Sequence, residues 1–89
     1  MVAETNDNPV QAVIWRPLFG DPLEQVARVT ARTSDGFGTE VCARVQWDGR
    51  GQFWIGGSWL PFWRLGTDMA TAKVEAERRL GLLIQALEG

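Results

Sequence analysis

The sequence predicts an α+β domain, in which an antiparallel sheet of four or five short strands has one C-terminal helix packed on one face. Apolar and polar residues alternate in the middle of the chain, and Gly-rich turns separate the alternating runs. Near the C-terminus, apolar residues recur every three or four positions. The length of 89 residues fits one domain. We expect a flexible N-terminal tail over residues 1–9 and a single domain over residues 10–89.

Composition excludes several kinds of active site. The chain has no His, the commonest general base and transition-metal ligand, and its single Cys is Cys42. One thiol forms neither an intrachain disulfide nor a multi-thiolate zinc site. The Gly-rich stretches lack the phosphate-loop pattern. We therefore expect no enzyme activity, no cofactor and no metal, and we expect Cys42 to be an inert, half-buried strand residue.

The N-terminus and the overall hydropathy bear on location. Residues 1–4 have neither the basic segment nor the apolar segment of a secretory signal. No run approaches the roughly eighteen uninterrupted apolar residues that a membrane-spanning helix needs. These observations predict a cytoplasmic protein without membrane contact.

The first strand is predicted over residues 10–16, where β-branched residues and Trp15 form an apolar run. Pro17 has no backbone N–H and is expected to end this strand. Residues 17–24 contain two prolines and a glycine. This segment is therefore interpreted as a connection.

Two interpretations remain for residues 21–32. Asp21 as N-cap, Pro22 at the first helical position and Glu24 three residues after the cap are typical of a helix start. Residues 27–33 instead alternate in the way of a strand. The strand is favoured, because Val and Thr suit a pleated surface.

The centre of the chain predicts a β-hairpin. Residues 39–47 alternate after a turn at residues 34–38, and residues 52–55 return after an Asp-Gly turn at residues 48–51. Parity places Phe53 and Ile55 against Val45 and Trp47, with Trp54 on the opposite face; Val41 and Ala43 complete the apolar side.

A bend and an edge element are predicted next. Residues 56–58 (Gly-Gly-Ser) break or bend the chain, and Pro61 confines residues 59–65 to an edge or an irregular crossing. Regular alternation over this segment predicts two pairs that share a face: Trp59 with Trp63, and Leu60 with Phe62.

An amphipathic helix is predicted over residues 68–87, capped by Thr67 or Asp68. Gly81 within it is expected to let the helix approach the sheet closely. On the solvent-exposed side of the helix, ion pairs are expected between Glu75 and Arg79 and between Lys73 and Glu77. The apolar stripe comprises Met69, Ala72, Ala76, Leu80, Leu83 and Leu87, widened by Val74 and Ile84.

The five Trp residues exceed what one helix is expected to shelter, and four of them lie between residues 47 and 63. Some rings should face outward and form a contact surface with nearby Arg, because Trp and Arg are enriched in binding hot spots. The alternative is that the second face is closed by the tail, by Leu18 and Phe19, or by irregular backbone. The expected partner-binding residues are Arg50, Trp54, Trp59, Trp63 and Arg64.

Three functions follow from this surface. We favour a non-enzymatic protein-binding module. Aromatic and Arg residues also suit single-stranded nucleic acid, but the arginines are scattered along the sequence and the net charge is −2. The third alternative is a homo-oligomer whose aromatic face meets its own symmetry mate.

The helix carries one resemblance. Ala72-Lys73 followed by Ala76, after a Trp-containing sheet, resembles the closing Ala-Lys-x-x-Ala helix of double-stranded-RNA-binding domains, although Met69 and Ala70 replace the basic pair of that family. The order of elements also resembles that of short phage- and prophage-encoded proteins, some of which are anti-CRISPR inhibitors. The second resemblance implies an inhibitor that docks on a larger host protein or ribonucleoprotein complex.

Overall fold

The computed structural model describes residues 13–89. It has one antiparallel sheet, and a single C-terminal helix packs on one of its faces. The predicted α+β class is confirmed, whereas the predicted tail over residues 1–9 lies outside the described residues. The strands are β1 (Arg16–Leu18), β2 (Asp21–Ala31), β3 (Thr39–Gln46), β4 (Arg50–Ile55), β5 (Ser58–Trp59) and β6 (Trp63–Arg64), and the helix is α1 (Met69–Glu88).

The strands form a meander in which each of β1 to β5 pairs with the next one along the chain. β3 lies in the middle, paired with the long β2 on one side and with β4 on the other. β5 and β6 share the outer edge of β4: β5 pairs with the end at Trp54 and Ile55, and β6 with the end at Arg50 and Gly51.

The first strand differs from its prediction. Residues 10–12 lie outside the described part of the chain, residues 13–15 are not in the sheet, and β1 begins at Arg16 and includes Pro17. Because β1 has a described neighbour on one side only, the missing N–H of Pro17 removes no bond to a further described strand.

Trp15 turns toward the helix instead of pairing in the sheet. Its indole Nε1 donates a hydrogen bond of 2.8 Å to Oε2 of Glu77. The ammonium group of Lys73 lies 5.6 Å from the centroid of the indole ring. Lys73 and Glu77 therefore both contact Trp15, and the predicted ion pair between them is absent from the described contacts.

The predicted connection between the first two strands is a two-residue turn. Leu18 pairs with Asp21, and the intervening Phe19 and Gly20 have φ angles of 52° and 79°. Positive φ at both central positions is the geometry of a tight hairpin turn. β2 follows at once and is a strand throughout, so the favoured interpretation of residues 21–32 is confirmed over the helix.

The central hairpin confirms its predicted strands, with two corrections: the position of Trp47, and the partners of Phe53 and Ile55, which are Ala43 and Val41 and not Val45 and Trp47, because the turn is shorter than predicted. β3 ends at Gln46, and Trp47 lies in the turn with 61% of its surface exposed. Trp47 is therefore not among the apolar residues beneath the helix, because the chain reverses before it can continue the strand. The parity of β4 is as predicted, and the direct partners are Ala43 with Phe53, Val41 with Ile55 and Cys42 with Trp54.

The edge element is interrupted. After a tight turn at Gly56 and Gly57, β5 ends at Trp59, and the chain leaves the sheet until Trp63. Trp59 pairs with Trp54, whereas Trp63 pairs with Gly51. Residues three apart on β4 point to opposite faces, so Trp59 and Trp63 do not share a face. The prediction that they do is wrong, because residues 60–62 break the alternation.

The core lies between α1 and the facing side of the sheet. Ala72 and Ala76 are fully buried, and their small side chains allow α1 to lie close to β3. Gly81 does not serve this purpose, since a Cβ there would meet nothing within 4 Å. Val74 is exposed and does not widen the stripe. The buried cluster comprises Val29, Val41, Ala43, Val45, Phe53, Leu65, Ala72, Ala76 and Leu80.

The entry to the helix is fixed by a close backbone contact. The carbonyl oxygen of Gly49 accepts hydrogen bonds from the N–H groups of Leu65 at 2.8 Å and Gly66 at 3.1 Å. Gly49 has φ 88°, and a Cβ on it would overlap the carbonyl oxygen of Gly66. Asp68 then caps α1: its Oδ1 accepts from Thr71 N at 2.9 Å, and Thr71 Oγ1 accepts from Asp68 N.

Candidate binding surface

α1 covers only one side of the sheet. Strand alternation directs Val29, Ala43 and Phe53 toward the helix, and the residues between them point to the opposite side. We call this opposite side the open face. Its described members are Arg16, Glu24, Val26, Arg28, Thr30, Glu40, Cys42, Arg44, Gln46, Arg50, Gln52, Trp54, Trp59 and Arg64.

Arginines that are scattered along the sequence meet on the open face. The strands β1, β2, β3, β4 and β6 each supply one arginine, whereas the same face carries two glutamates. The described residues of the open face therefore have an excess of positive charge, even when Asp48 beside Arg50 is included, although the whole chain has a net charge of −2. The arginines are Arg16, Arg28, Arg44, Arg50 and Arg64, and the glutamates are Glu24 and Glu40.

Arg44 is held at the centre of this face by its neighbours. Its guanidinium forms an ion pair with Glu24, including a 3.0 Å hydrogen bond from Nε to Oε1. Nη1 donates to Oε1 of Gln52 at 3.2 Å, and Nε2 of Gln52 donates to the carbonyl oxygen of Leu60 at 2.7 Å. This chain of hydrogen bonds fixes the guanidinium before any partner arrives, which reduces the entropy lost on binding.

Phe62 lies beneath two guanidinium groups. The Cζ atoms of Arg44 and Arg50 are each 5.6 Å from the centroid of its ring. Nε of Arg50 donates to Oδ2 of Asp48 at 2.8 Å, and Nη1 of Arg64 donates to the backbone carbonyl of Asp48. Burial acts to raise the pKa of Asp48, but the hydrogen bonds from Arg50 outweigh it, so the pKa is lowered and the carboxylate stays charged near neutral pH.

Two tryptophans are neighbours on the open face. Trp54 and Trp59 are direct cross-strand partners; Trp54 is half-buried, and Trp59 is 44% exposed. Trp63 is 41% exposed but lies on the helix side, with its ring centroid 6.0 Å from that of Phe53. Of the five residues predicted from the sequence, four share the open face, and Trp63 does not.

Sequence reasoning missed several members of this surface. Arg28 could have been found, because the alternating run over residues 27–33 places it opposite the apolar side. Arg16 and Arg44 required the pairing of β1, β2 and β3. Phe62 required the break in alternation at residues 60–62, for which the presence of Pro61 was the only signal.

The open face borders a concavity of about 540 Å³ at the β1–β2 end. Arg16 and Arg28 line it, and neither forms a hydrogen bond or ion pair with another described residue. Phe19 also lines it and is 99% exposed, with a positive φ that is unfavourable for a bulky side chain. The tight turn therefore presents an aromatic ring beside two guanidinium groups whose donors are available.

Other chemistry is limited among residues 13–89. Cys42 is buried in the middle of the open face, and burial together with the charge of Glu40 raises the pKa of its thiol. The thiol is therefore protonated near neutral pH and is a poor nucleophile. No group of three His, Cys, Asp or Glu side chains in this part of the chain is arranged to hold a metal ion. The helix α1 contains too few apolar residues to span a membrane.

Comparison of the chain with protein-family models, with curated proteins and with solved structures gives no match. The most distinctive chemistry of the described residues is the open face, which combines positive charge, donors in fixed orientations and aromatic rings. Such a surface is suited to binding a negatively charged macromolecule, since guanidinium groups pair with carboxylate or phosphate oxygens.

Proposed function

We propose that this chain is a non-enzymatic protein-binding module that docks its open face on an acidic surface of a larger partner. The proposal includes an inhibitory role of the phage-encoded type, in which docking blocks a host protein or ribonucleoprotein complex. The observation that carries it is the meeting of five arginines with Trp54, Trp59 and Phe62 on one side of the sheet.

The chemistry of the face supports an acidic protein surface as the partner. The side chains of Arg16 and Arg28 form no hydrogen bond or ion pair with another described residue and can donate to carboxylates, and Arg44 is already oriented by Glu24 and Gln52. Trp59 supplies apolar area that a partner can exclude from water. Aromatic anchors flanked by arginines are the usual centres of protein interfaces, where a few residues provide most of the binding energy.

The experiment has two stages. Tagged protein is first used to capture partners from host lysate, and each captured protein is then purified and titrated by calorimetry. Trp59→Ala and Arg28→Glu should each weaken binding about tenfold or more. The matched controls are Trp47→Ala, in the β3–β4 turn, and Arg32→Glu, beyond the end of β2, which should leave the affinity within about twofold. Equal losses in variants and controls would contradict docking through the open face.

The convergence of the arginines also favours a second candidate, single-stranded nucleic acid. Bases would stack on Trp59 and Trp54 while the guanidinium groups contact phosphates. Fluorescence anisotropy with labelled 20-nucleotide DNA and RNA strands distinguishes the candidates. Binding to either strand that falls steeply between about 50 and 200 mM salt would favour this candidate, whereas no binding at about 50 mM salt would favour docking on a protein.

Self-association is a third outcome that the same material can reveal. If the open face paired with its own copy, sedimentation would give a dimer or larger assembly, and Trp59→Ala would return it to a monomer. That result, obtained without any partner protein, would replace the docking proposal with a structural role.

A further inference from the structure

A groove lies on the helix side of the molecule, away from the open face. It has a volume of about 340 Å³ and runs between α1 and the segment that links β5 to β6. This volume is at the lower end of the range of about 300 to 1,000 Å³ that small-ligand sites occupy. The lining residues are Phe53, Leu60, Trp63, Arg78, Arg79, Leu82 and Leu83.

The floor and walls of the groove are apolar. Phe53 is buried at the base, with the ring of Trp63 6.0 Å away and tilted by 43°. Trp63 and Leu82 remain 41% and 53% exposed at the two sides. An apolar group that entered the groove would remove both side chains from water, and this burial favours binding.

The rim of the groove next to α1 is positively charged. Arg78 and Arg79 share a single carboxylate: their Nη2 and Nε atoms, respectively, each lie 2.7 Å from Oε2 of Glu75. Two positive charges therefore face one negative charge. Among residues 13–89, no acidic side chain lines the groove itself. The rim has one positive charge in excess beside an apolar floor.

We propose that this groove binds a small amphipathic anion, namely a soluble carboxylate that carries an apolar ring or chain of about ten carbons. The apolar part lies against Phe53, Trp63 and Leu82, and the carboxylate accepts hydrogen bonds from Arg78 and Arg79. This inference is independent of the proposed function, since the groove and the open face are on opposite sides of the sheet.

The test uses the fluorescent anion 8-anilinonaphthalene-1-sulfonate as the probe. Leu82→Glu places a negative charge at the mouth of the groove next to Arg78 and Arg79, and should weaken probe binding about tenfold. Leu82→Lys removes the same apolar side chain but introduces the opposite charge, and should bind the probe at least about tenfold more tightly than Leu82→Glu does. Because Leu82 is half exposed, both variants should fold, which circular dichroism checks. Ala70→Glu, at an exposed position two turns before Arg78 on the same helix, is the control and should bind as the parent does.

Competition then tests the charge of the ligand. Decanoate should displace the probe, whereas decylammonium at the same concentration should not. Displacement by both compounds, or equal affinity of the two Leu82 variants, would overturn the proposal. A dimer in sedimentation that Leu82→Lys dissociates would also overturn it, because the groove would then be a contact between two copies.

Discussion

The two sides of the sheet use the same strands for different purposes. Toward α1, β3 presents Val41, Ala43 and Val45, all fully buried. On the open face, the same strand presents Cys42 and Arg44, and its neighbours add further charged and aromatic residues. Because successive side chains of a strand point to opposite sides of the sheet, core residues and charged surface residues alternate along β3. The former provide stability, and the latter leave polar groups available for a partner.

The difference between the two sides is also one of dependence on context. Both sides require the correct register, but the helix side tolerates other apolar residues of similar total volume. The open face depends on register, since Arg44 reaches both Glu24 and Gln52 only when β2, β3 and β4 are correctly paired. A one-residue slip would send every one of these side chains to the other side. The predictions below separate the two sides experimentally.

The largest effect is expected on the helix side. Phe53→Ala should lower the free energy of unfolding by about 3 to 5 kcal/mol, because it leaves a cavity beneath α1. Urea unfolding followed by circular dichroism measures this change. A loss below about 1 kcal/mol would contradict the position of Phe53 in the core.

The next effect concerns the contact that leads into the helix. Gly49→Ala should cost on the order of 3 kcal/mol of unfolding free energy, since the substitution combines a positive φ with an overlap on the carbonyl oxygen of Gly66. Thermal unfolding gives the value. Gly81→Ala is the matched control, and it should be stabilising by about 1 kcal/mol, because it improves helix propensity in open space.

On the open face, binding should change more than stability. Trp59→Ala should weaken partner binding by about 2 kcal/mol while lowering the free energy of unfolding by less than about 1 kcal/mol. Calorimetric titration and urea unfolding of one preparation give both numbers. The reverse pattern, with unchanged affinity and a large loss of stability, would assign Trp59 to the core.

The smallest effect is on pH dependence. Hydrogen bonds from Arg78 and then Arg79 lower the pKa of Glu75 from 4.5 to about 2. Because the pKa is lower in the folded chain, the stabilisation is present above about pH 4.5 and is lost as the pH falls toward 2. Glu75→Gln should therefore be less stable than the parent near neutral pH, and the gap should close in acid. Urea unfolding midpoints of both proteins are measured across this pH range. A constant difference between them would contradict the ion pairs of Glu75 with Arg78 and Arg79.

Much of the fold could be predicted from local patterns. The helix boundaries followed from the cap at Asp68 and the apolar spacing, and the central hairpin followed from alternation and the Asp-Gly turn. The first strand could not be placed, because Pro17 is compatible with an edge position as well as with a strand end. Gly81 was misjudged because helix propensity does not reveal which side of a helix a residue occupies.

The candidate surface was only partly predictable. Alternation assigned Trp54 to the side away from the helix, and this assignment holds. Trp63 was placed with Trp59 because regular alternation was assumed across residues 60–62, where the chain leaves the sheet. The meeting of the five arginines depends on which strands are neighbours, and that information is not contained in any short stretch of sequence.

The divided edge formed by β5 and β6 has a consequence for solubility. Each of these strands has two residues, and Pro61 between them has no amide proton to offer. Another chain would find no continuous row of backbone donors and acceptors along this edge of the sheet. Edge-to-edge pairing of sheets into fibrils is therefore disfavoured there. The chain can thus expose aromatic side chains to water while its backbone offers few unpaired groups for polymerisation at this edge.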